Sequence, residues 1–462
     1  MSSRKFNEYK GLDLPQLGRE VLEMWDKENT FGRSITEREG SPTFIFYEGP
    51  PSANGLPGIH HVLSRTIKDT ICRYKTQKGF LVRRKAGWDT HGLPVELGVE
   101  KKLGITKEDI GHKISIEEYN RTCREAVMEF TGVWEDLTRT MGYWVDMKHP
   151  YITYENKYIE TLWWMLKQLF DKGLLYKGYT IQPYSPAAGT GLSNHELNQP
   201  GCYRDVKDTT CTAQFEVVRD ERSEFLFDNA QGTLYFLAWT TTPWTLPSNT
   251  ALAVGDHIEY VRVKCLNPYT QQPQTVILAK ELLSSYFTPK MEGTYSVDER
   301  TYKGSELVGI GYRQLIDWVK PMGDAFRVIS GDYVTTVDGT GIVHIAPTFG
   351  ADDDRVGKQA GIVPMYVVDK AGKNQPMVDR RGRLFPIEEM DADFVERYVD
   401  TQAYGEWAGR FVKNAYDPTL GPDDPTLDVD LSVMLKGENK AFKIEKHTHS
   451  YPHCWRTDKP VL

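Results

Sequence analysis

Apolar positions along this chain follow two rhythms. In the first two hundred residues they recur mostly at helical spacing. Leu17, Val21, Leu22 and Trp25 share one face and predict a helix over 14–28. Thr43-Phe-Ile-Phe46 reads as a short buried strand, and a loop dense in glycine and proline follows it. A second helix is predicted from Ile59, with Ile59, Leu63, Ile67 and Ile71 on one stripe. Phe80 to Val82 predicts another strand. Ser115-Ile-Glu-Glu118 has the pattern of a capping box and opens a long helix with Tyr119, Cys123, Val127, Phe130, Val133 and Leu137 inward. A further helix is expected from about Glu155 to Asp171, closed by Gly173, with Trp163 and Trp164 as core residues. Leu174 to Pro183 reads as a strand returning to the sheet.

From about Cys202 the helical period fades. Short alternating runs take over at Ala213–Val218, Leu234–Trp239, Tyr260–Lys264 and Thr275–Ala279, with turn residues between them. The expected organisation is an α/β domain over 1–201, a β-rich insert over 202–447 and a return to the first domain over 448–462. Pro418 to Pro425 is the most linker-like stretch. No internal repeat stands out.

Composition changes this picture little. Hydrophobic residues make up 40% and charged residues 26%, ordinary values for a globular chain. The formal net charge of −8 argues against nucleic-acid binding through the global field, while leaving room for a local basic face. Arg73, Lys75, Lys78, Arg83, Arg84 and Lys85 crowd one region, either as a solvated helix end or as a basic rim. The six cysteines form no C-x-x-C pair, which predicts a reduced, cytoplasmic chain without disulfides. Neither a signal peptide nor a membrane-length apolar run is present.

Two stretches carry candidate chemistry in the first domain. Tyr47-Glu-Gly-Pro-Pro-Ser-Ala-Asn-Gly-Leu-Pro-Gly-Ile-His-His-Val62 joins strand to helix, so unpaired helix-start N–H groups can face phosphates. His60 and His61 lie in that first turn, as donors to a phosphoryl oxygen or simply as solvated residues. Gly87-Trp-Asp-Thr-His-Gly-Leu-Pro-Val-Glu96 follows the second strand, and by itself its Asp89 reads as a helix cap. Together the two stretches resemble the catalytic half of the class I aminoacyl-tRNA synthetases, specifically the isoleucyl branch. The resemblance implies a Rossmann-like parallel sheet with helices, interrupted by a barrel-like editing domain. It implies isoleucine, ATP with Mg²⁺, and tRNA(Ile) as partners, and a monomer is expected. By resemblance, Gly49, Pro50 and His91 line the amino-acid pocket and Asp89 takes the α-ammonium. Gly55, Gly58 and His61 face ATP, and Gly58, His60 and His61 form the catalytic turn. The family's H-x-G-H signature is rearranged here to Gly58-Ile-His-His61. The second family signature, K-M-S-K-S, has no counterpart, so efficient adenylate formation by this chain alone is not expected.

The second constellation is Trp239-Thr-Thr-Thr-Pro-Trp-Thr-Leu-Pro-Ser-Asn249. An isolated threonine there would read as strand edge or turn, but the cluster resembles the threonine-rich strand of the editing domain. Gly339-Thr-Gly-Ile-Val-His-Ile-Ala-Pro347 and Ala351-Asp-Asp-Asp354 resemble the opposite wall. The resemblance assigns Thr240, Thr241, Thr242, Thr245, His344 and Asp353 to editing, with Asp352 as the alternative carboxylate. Such a site needs no protein nucleophile, because an aminoacyl ester is already labile and requires only positioning. The zinc-binding C-x-x-C pairs of many relatives fall here at Ser185/Ala188 and Cys454/Thr457, so no zinc is expected. Two rival readings are a free-standing deacylase with a vestigial nucleotide fold and a tRNA-binding module without activity.

Overall fold

The computed structural model describes residues 11–178, 180–288, 291, 293–421 and 424–462. Two compact units divide the chain, Met1–Gly178 and Tyr179–Leu462. The first is built on a parallel three-stranded sheet, Thr43–Tyr47, Leu81–Trp88 and Asp146–Ile152, with Leu81–Trp88 in the centre. Its helices include Leu14–Glu28, Ile59–Gln77 and Leu93–Leu103. The central strand is the most buried of the three, as a strand covered on both faces must be.

Five details of the first 183 residues differ from the sequence reading. The predicted stripe of Ile59, Leu63, Ile67 and Ile71 lies outward, 82%, 64%, 55% and 50% exposed, while Arg65, Cys72 and Thr76 are buried. Polar groups tolerate burial there because each has partners: Arg65 donates to Thr138 Oγ1 and stacks on Trp134, and Thr76 Oγ1 accepts from Arg84. Trp163 and Trp164, expected in the core, are 68% and 62% exposed on the helix Asn156–Asp171. The long helix expected after Ser115 is two, Ile116–Val127 and Thr131–Thr140. The break at 128–130 turns the Phe130 amide onto the Ala53 carbonyl. No strand forms over 174–178 or 180–183; Tyr179 lies outside the described residues. Nor are all the crowded cations a rim. Arg84 is buried against Asp69, Thr76 and the Trp144 carbonyl, and Arg73 binds Asp69 and lies over Trp144.

The second unit centres on a mixed six-stranded sheet. Its order is Ser296–Lys303, Glu259–Leu266, Pro273–Ala279, Thr233–Thr240, Tyr203–Glu216 and Ala441–Pro452. A three-stranded sheet, Arg327–Ser330, Ala251–Val254 and Ile342–Ile345, packs into the same core. Isolated bridges such as Val217 to Tyr312 and Gly311 to Arg327 link the two, but among the described residues no continuous ladder closes them into a barrel. The barrel-like expectation is corrected accordingly to open, bridged sheets. The linker-like stretch over 418–425 includes residues 422 and 423, which lie outside the described residues. No described helix is long and apolar enough to cross a membrane.

Candidate functional site

In a parallel sheet, the loops after the strands gather at the carboxyl edge, where ligands bind. Here the loop after Thr43–Tyr47 and the Asp89–Gly92 segment after Leu81–Trp88 leave neighbouring strands at that edge. The Asp89 amide donates to the Pro51 carbonyl, and Asn54 Nδ2 donates to the Pro94 carbonyl. Ala53, Trp88 and Trp134 form one buried cluster beneath, and Trp134 Nε1 donates to the Gly55 carbonyl. Gly49, Pro50, Gly55 and Asp89 are thereby tied into one loop system. Gly92, not Asp89, caps the helix Leu93–Leu103, and its φ of +93° suits glycine. His91 is exposed, with Nδ1 3.1 Å from Thr153 Oγ1.

Gly58 is extended, and the helix Ile59–Gln77 starts directly after it. The Gly58 N–H donates to His61 Nδ1 at 2.9 Å. That bond makes Nδ1 the acceptor and leaves the proton of a neutral imidazole on Nε2. Burial first, then the charges of His60, Arg65 and Lys68, hold the His61 pKa below its usual value. His61 is therefore a neutral N–H donor near pH 7. Its ring packs edge-on to Trp134 at 4.7 Å and against His60 at 3.8 Å.

In the second unit, Thr240, Thr241, Thr242, Thr245, His344 and Asp353 all line one cavity of about 590 Å³. The Thr233–Thr240 strand delivers the threonines into a 3₁₀ turn, Pro243–Ser248. That turn is pinned from behind, since the Trp244 amide donates to buried Asp428 at 2.8 Å and Lys413 bridges Asp428 and Asp208. His344 comes from the strand Ile342–Ile345, entered through Gly339 and Gly341 at φ of +75° and +74°.

The hydrogen bonds around His344 have a fixed direction. Tyr312 O–H donates to Asn249 Oδ1 at 2.7 Å, and Asn249 Nδ2 donates to His344 Nδ1 at 3.2 Å. His344 Nε2 lies 2.9 Å from Thr245 Oγ1, whose own proton goes to the Thr242 carbonyl at 2.8 Å. His344 must therefore carry its proton on Nε2. Burial lowers its pKa to about 4. Both ring nitrogens are engaged, which makes His344 a neutral wall rather than a base.

Asp353 sits in the first turn of the helix Ala351–Ala360. Oδ2 accepts from the Ala346 amide at 2.9 Å and Oδ1 from Tyr333 O–H at 3.1 Å. A side chain on Gly350 would collide with Asp353, 2.6 Å from its Cγ. Burial raises the Asp353 pKa against these two donors. The alternative, Asp352, faces away and pairs with Arg355 at 3.2 Å.

A family model for tRNA synthetases class I (I, L, M and V) matches residues 20–336. The chain belongs to that family. The isoleucine–tRNA ligase of Bacteroides fragilis is 64% identical over 473 residues, covering 100% of this chain and 41% of the relative. That of Porphyromonas gingivalis is 63% identical with the same coverage, and that of Clostridium tetani 42% identical over 98% of this chain. The chain thus spans about two fifths of the length of the relatives it matches.

Among the described residues of this synthetase chain, no three His, Cys, Asp or Glu side chains stand close enough to hold a metal. The four positions of the C-x-x-C pairs do come together. Burial raises the Cys454 thiol, but hydrogen bonds with Thr457, the Arg456 amide and Ser185 outweigh it and hold the pKa below its usual value. Ser185 Oγ in turn accepts from the Ala188 amide.

Several participants escaped the sequence reading. Glu48 is buried, pairs with Lys68 at 2.5 Å and accepts from Tyr143, beneath the phosphate-loop candidate. Its only signal was a carboxylate at the end of an apolar strand. Asn249 stood in a quoted motif without a role. Tyr312 and Tyr333 carried no local signal.

Proposed function

We propose that this chain is the part of an isoleucyl-tRNA synthetase that holds the amino-acid and ATP site and the editing site. The whole enzyme would activate isoleucine with ATP, transfer it to tRNA(Ile) and hydrolyse Val-tRNA(Ile). In this reading residues 202–447 form the editing insert. The observation that carries it is the convergence of the threonine cluster, His344 and Asp353 on one cavity.

In the first site, Asp89 holds the α-ammonium and the Gly49–Pro50 loop and His91 border the side chain. His61 Nε2–H, with His60 beside it, donates to charge that builds on the α-phosphate. Mg²⁺ brought in with ATP would offset phosphate charge, and Glu48, taken up by Lys68 and Tyr143, is not assigned to hold it.

In the second site, Asp353 retains acceptor capacity for the α-ammonium of the misattached amino acid. The threonine hydroxyls hold the ester and a water. Water attacks the ester carbon, the bond to the ribose oxygen breaks, that oxygen takes up the proton the water loses, and valine and free tRNA leave. His344, with both nitrogens engaged, presents an uncharged face to the side chain. A second selection is needed because one methylene is worth only about 1–3 kcal/mol, a range known from isoleucine against valine itself.

The test compares Val-tRNA(Ile) hydrolysis and isoleucine-dependent pyrophosphate exchange by this chain, with Thr242→Ala and Asp353→Ala as controls. Hydrolysis lost in both variants supports the editing site. Hydrolysis indifferent to both substitutions rejects it.

A further inference from the structure

Beside the editing cavity lies a larger one, of about 880 Å³, bordered by two turns of the same construction. Asp369-Lys-Ala-Gly-Lys373 joins the antiparallel strands Tyr366–Val368 and Asn374–Pro376. Ten residues on, Asp379-Arg-Arg-Gly-Arg383 joins the bridged pair Val378 and Leu384. In each, the aspartate Oδ1 accepts two amides at 2.9 Å, from Ala371 and Lys373 in one and from Arg381 and Arg383 in the other. In each, glycine occupies a left-handed position, Gly372 at φ +72° and Gly382 at +82°.

The construction sorts the charges. Both aspartates are spent inside their own turns. Asp369 Oδ2 accepts from Gln375, and Asp379 Oδ2 from Arg383 Nε. Glu389, the remaining acid on the cavity wall, pairs with Arg383 at 3.1 Å. Lys370, Arg380 and Arg381 at the turn tips also border the cavity. Four cations against three acids give this lining a formal charge of +1, with the cations at the turn tips, on a chain whose net charge is −8. Tyr366, Phe349 and Phe385 supply aromatic surface on the same walls. Cations interleaved with aromatic rings suit single-stranded nucleic acid, whose phosphates and bases they contact respectively. Ile181, Gln182 and Phe349 border both cavities, so the basic one opens beside the hydrolytic one.

We propose that the twin basic turns hold the phosphodiester backbone of the single-stranded RNA end whose terminal ester lies in the editing cavity. The proposal rests on the hydrolytic reading of that cavity for the identity of the strand. Lys370, Arg380 and Arg381 bind phosphates and take no part in breaking the ester.

The probe is a fluorescent RNA hairpin with four unpaired 3′ nucleotides, bound by this chain at 50 and 200 mM salt. K370Q/R380Q/R381Q should weaken binding about tenfold or more at 50 mM. It should also lower the salt slope by about 2, removing roughly a twentyfold salt sensitivity. K370R/R380K/R381K, which keeps the charges, should bind as the wild type does. Hydrolysis of 3′-O-valyl-adenosine, which has no phosphodiester, should be equal in all three proteins. Glutamine-variant binding within twofold of wild type overturns the proposal. So does a loss reversed neither by the charge-keeping variant nor by low salt. Wild-type failure on valyl-adenosine counts against the hydrolytic reading alone, because RNA binding is scored separately.

Discussion

His344 offers the sharpest test of the proposed editing-site geometry. Burial lowers its pKa from 6.5 to about 4, and the Asn249 and Thr245 bonds leave room for one ring proton. Below pH 6.5 the unfolded chain takes up a proton that folded His344 refuses. This group's contribution to stability is therefore complete above about pH 6.5 and falls as the pH drops. The loss is about 1.4 kcal/mol per pH unit and stops near pH 4, where folded His344 also protonates, for a total of about 3 kcal/mol. Asp353 and Asp428, both raised by burial, titrate with the opposite sign, so the difference between wild type and His344→Gln isolates the term. Denaturant unfolding at half-unit steps from pH 7.5 to 4.5 should give a difference that slopes in this direction. With only 11 histidines, ¹³Cε1-histidine NMR can follow His344 directly, assigned by its absence in the variant. A wild-type midpoint between pH 6 and 7, or a signal from the Nδ1–H tautomer, would refute the bonding pattern.

Asp353→Asn keeps the shape and removes the charge. It should lower kcat/KM for Val-tRNA(Ile) hydrolysis by about 10- to 100-fold, the scale of one charge-assisted hydrogen bond, with an unchanged melting profile. A rate within threefold of wild type would remove Asp353 from the site. S185C/A188C/T457C, joined to Cys454, should take up about one zinc per chain by atomic absorption while the parent takes up none. A triple variant that binds no metal would mean that the four positions do not converge. Trp163→Lys with Trp164→Lys should change unfolding free energy by no more than about 0.5 kcal/mol, since both rings face outward. A loss of several kcal/mol in urea melts would restore them to the core.

Much of this architecture was legible in the chain, for reasons that differ by region. The Thr43–Tyr47 strand, glycine loop and Ile59–Gln77 helix could be read because each uses residues suited to its backbone. The helix's orientation could not. Periodicity reports that Ile59, Leu63, Ile67 and Ile71 share a face, not which face is covered, and buried Arg65 needs Thr138 and Glu48, which are distant in sequence. The break at 128–130 escaped notice because the Phe130 amide is satisfied by Ala53, in a loop far upstream. In the threonine-lined cavity of the second unit, the threonines, His344 and Asp353 sit in recognisable runs. The choice between Asp353 and Asp352 required the Ala346 amide and Tyr333, which only folding brings near. Tyr312 and Tyr333 are ordinary tyrosines until their hydroxyls find Asn249 and Asp353.

The directed file of bonds from Tyr312 through Asn249, His344 and Thr245 to the Thr242 carbonyl has an evolutionary corollary. Removing one member leaves buried hydrogen-bonding groups on its neighbours without their partner, so single substitutions are penalised together and compensated together. These four side chains should behave as one inherited character, exchanged as a set or retained as a set. Attempts to redesign the cavity's selectivity one residue at a time will meet epistasis here before anywhere else in the molecule.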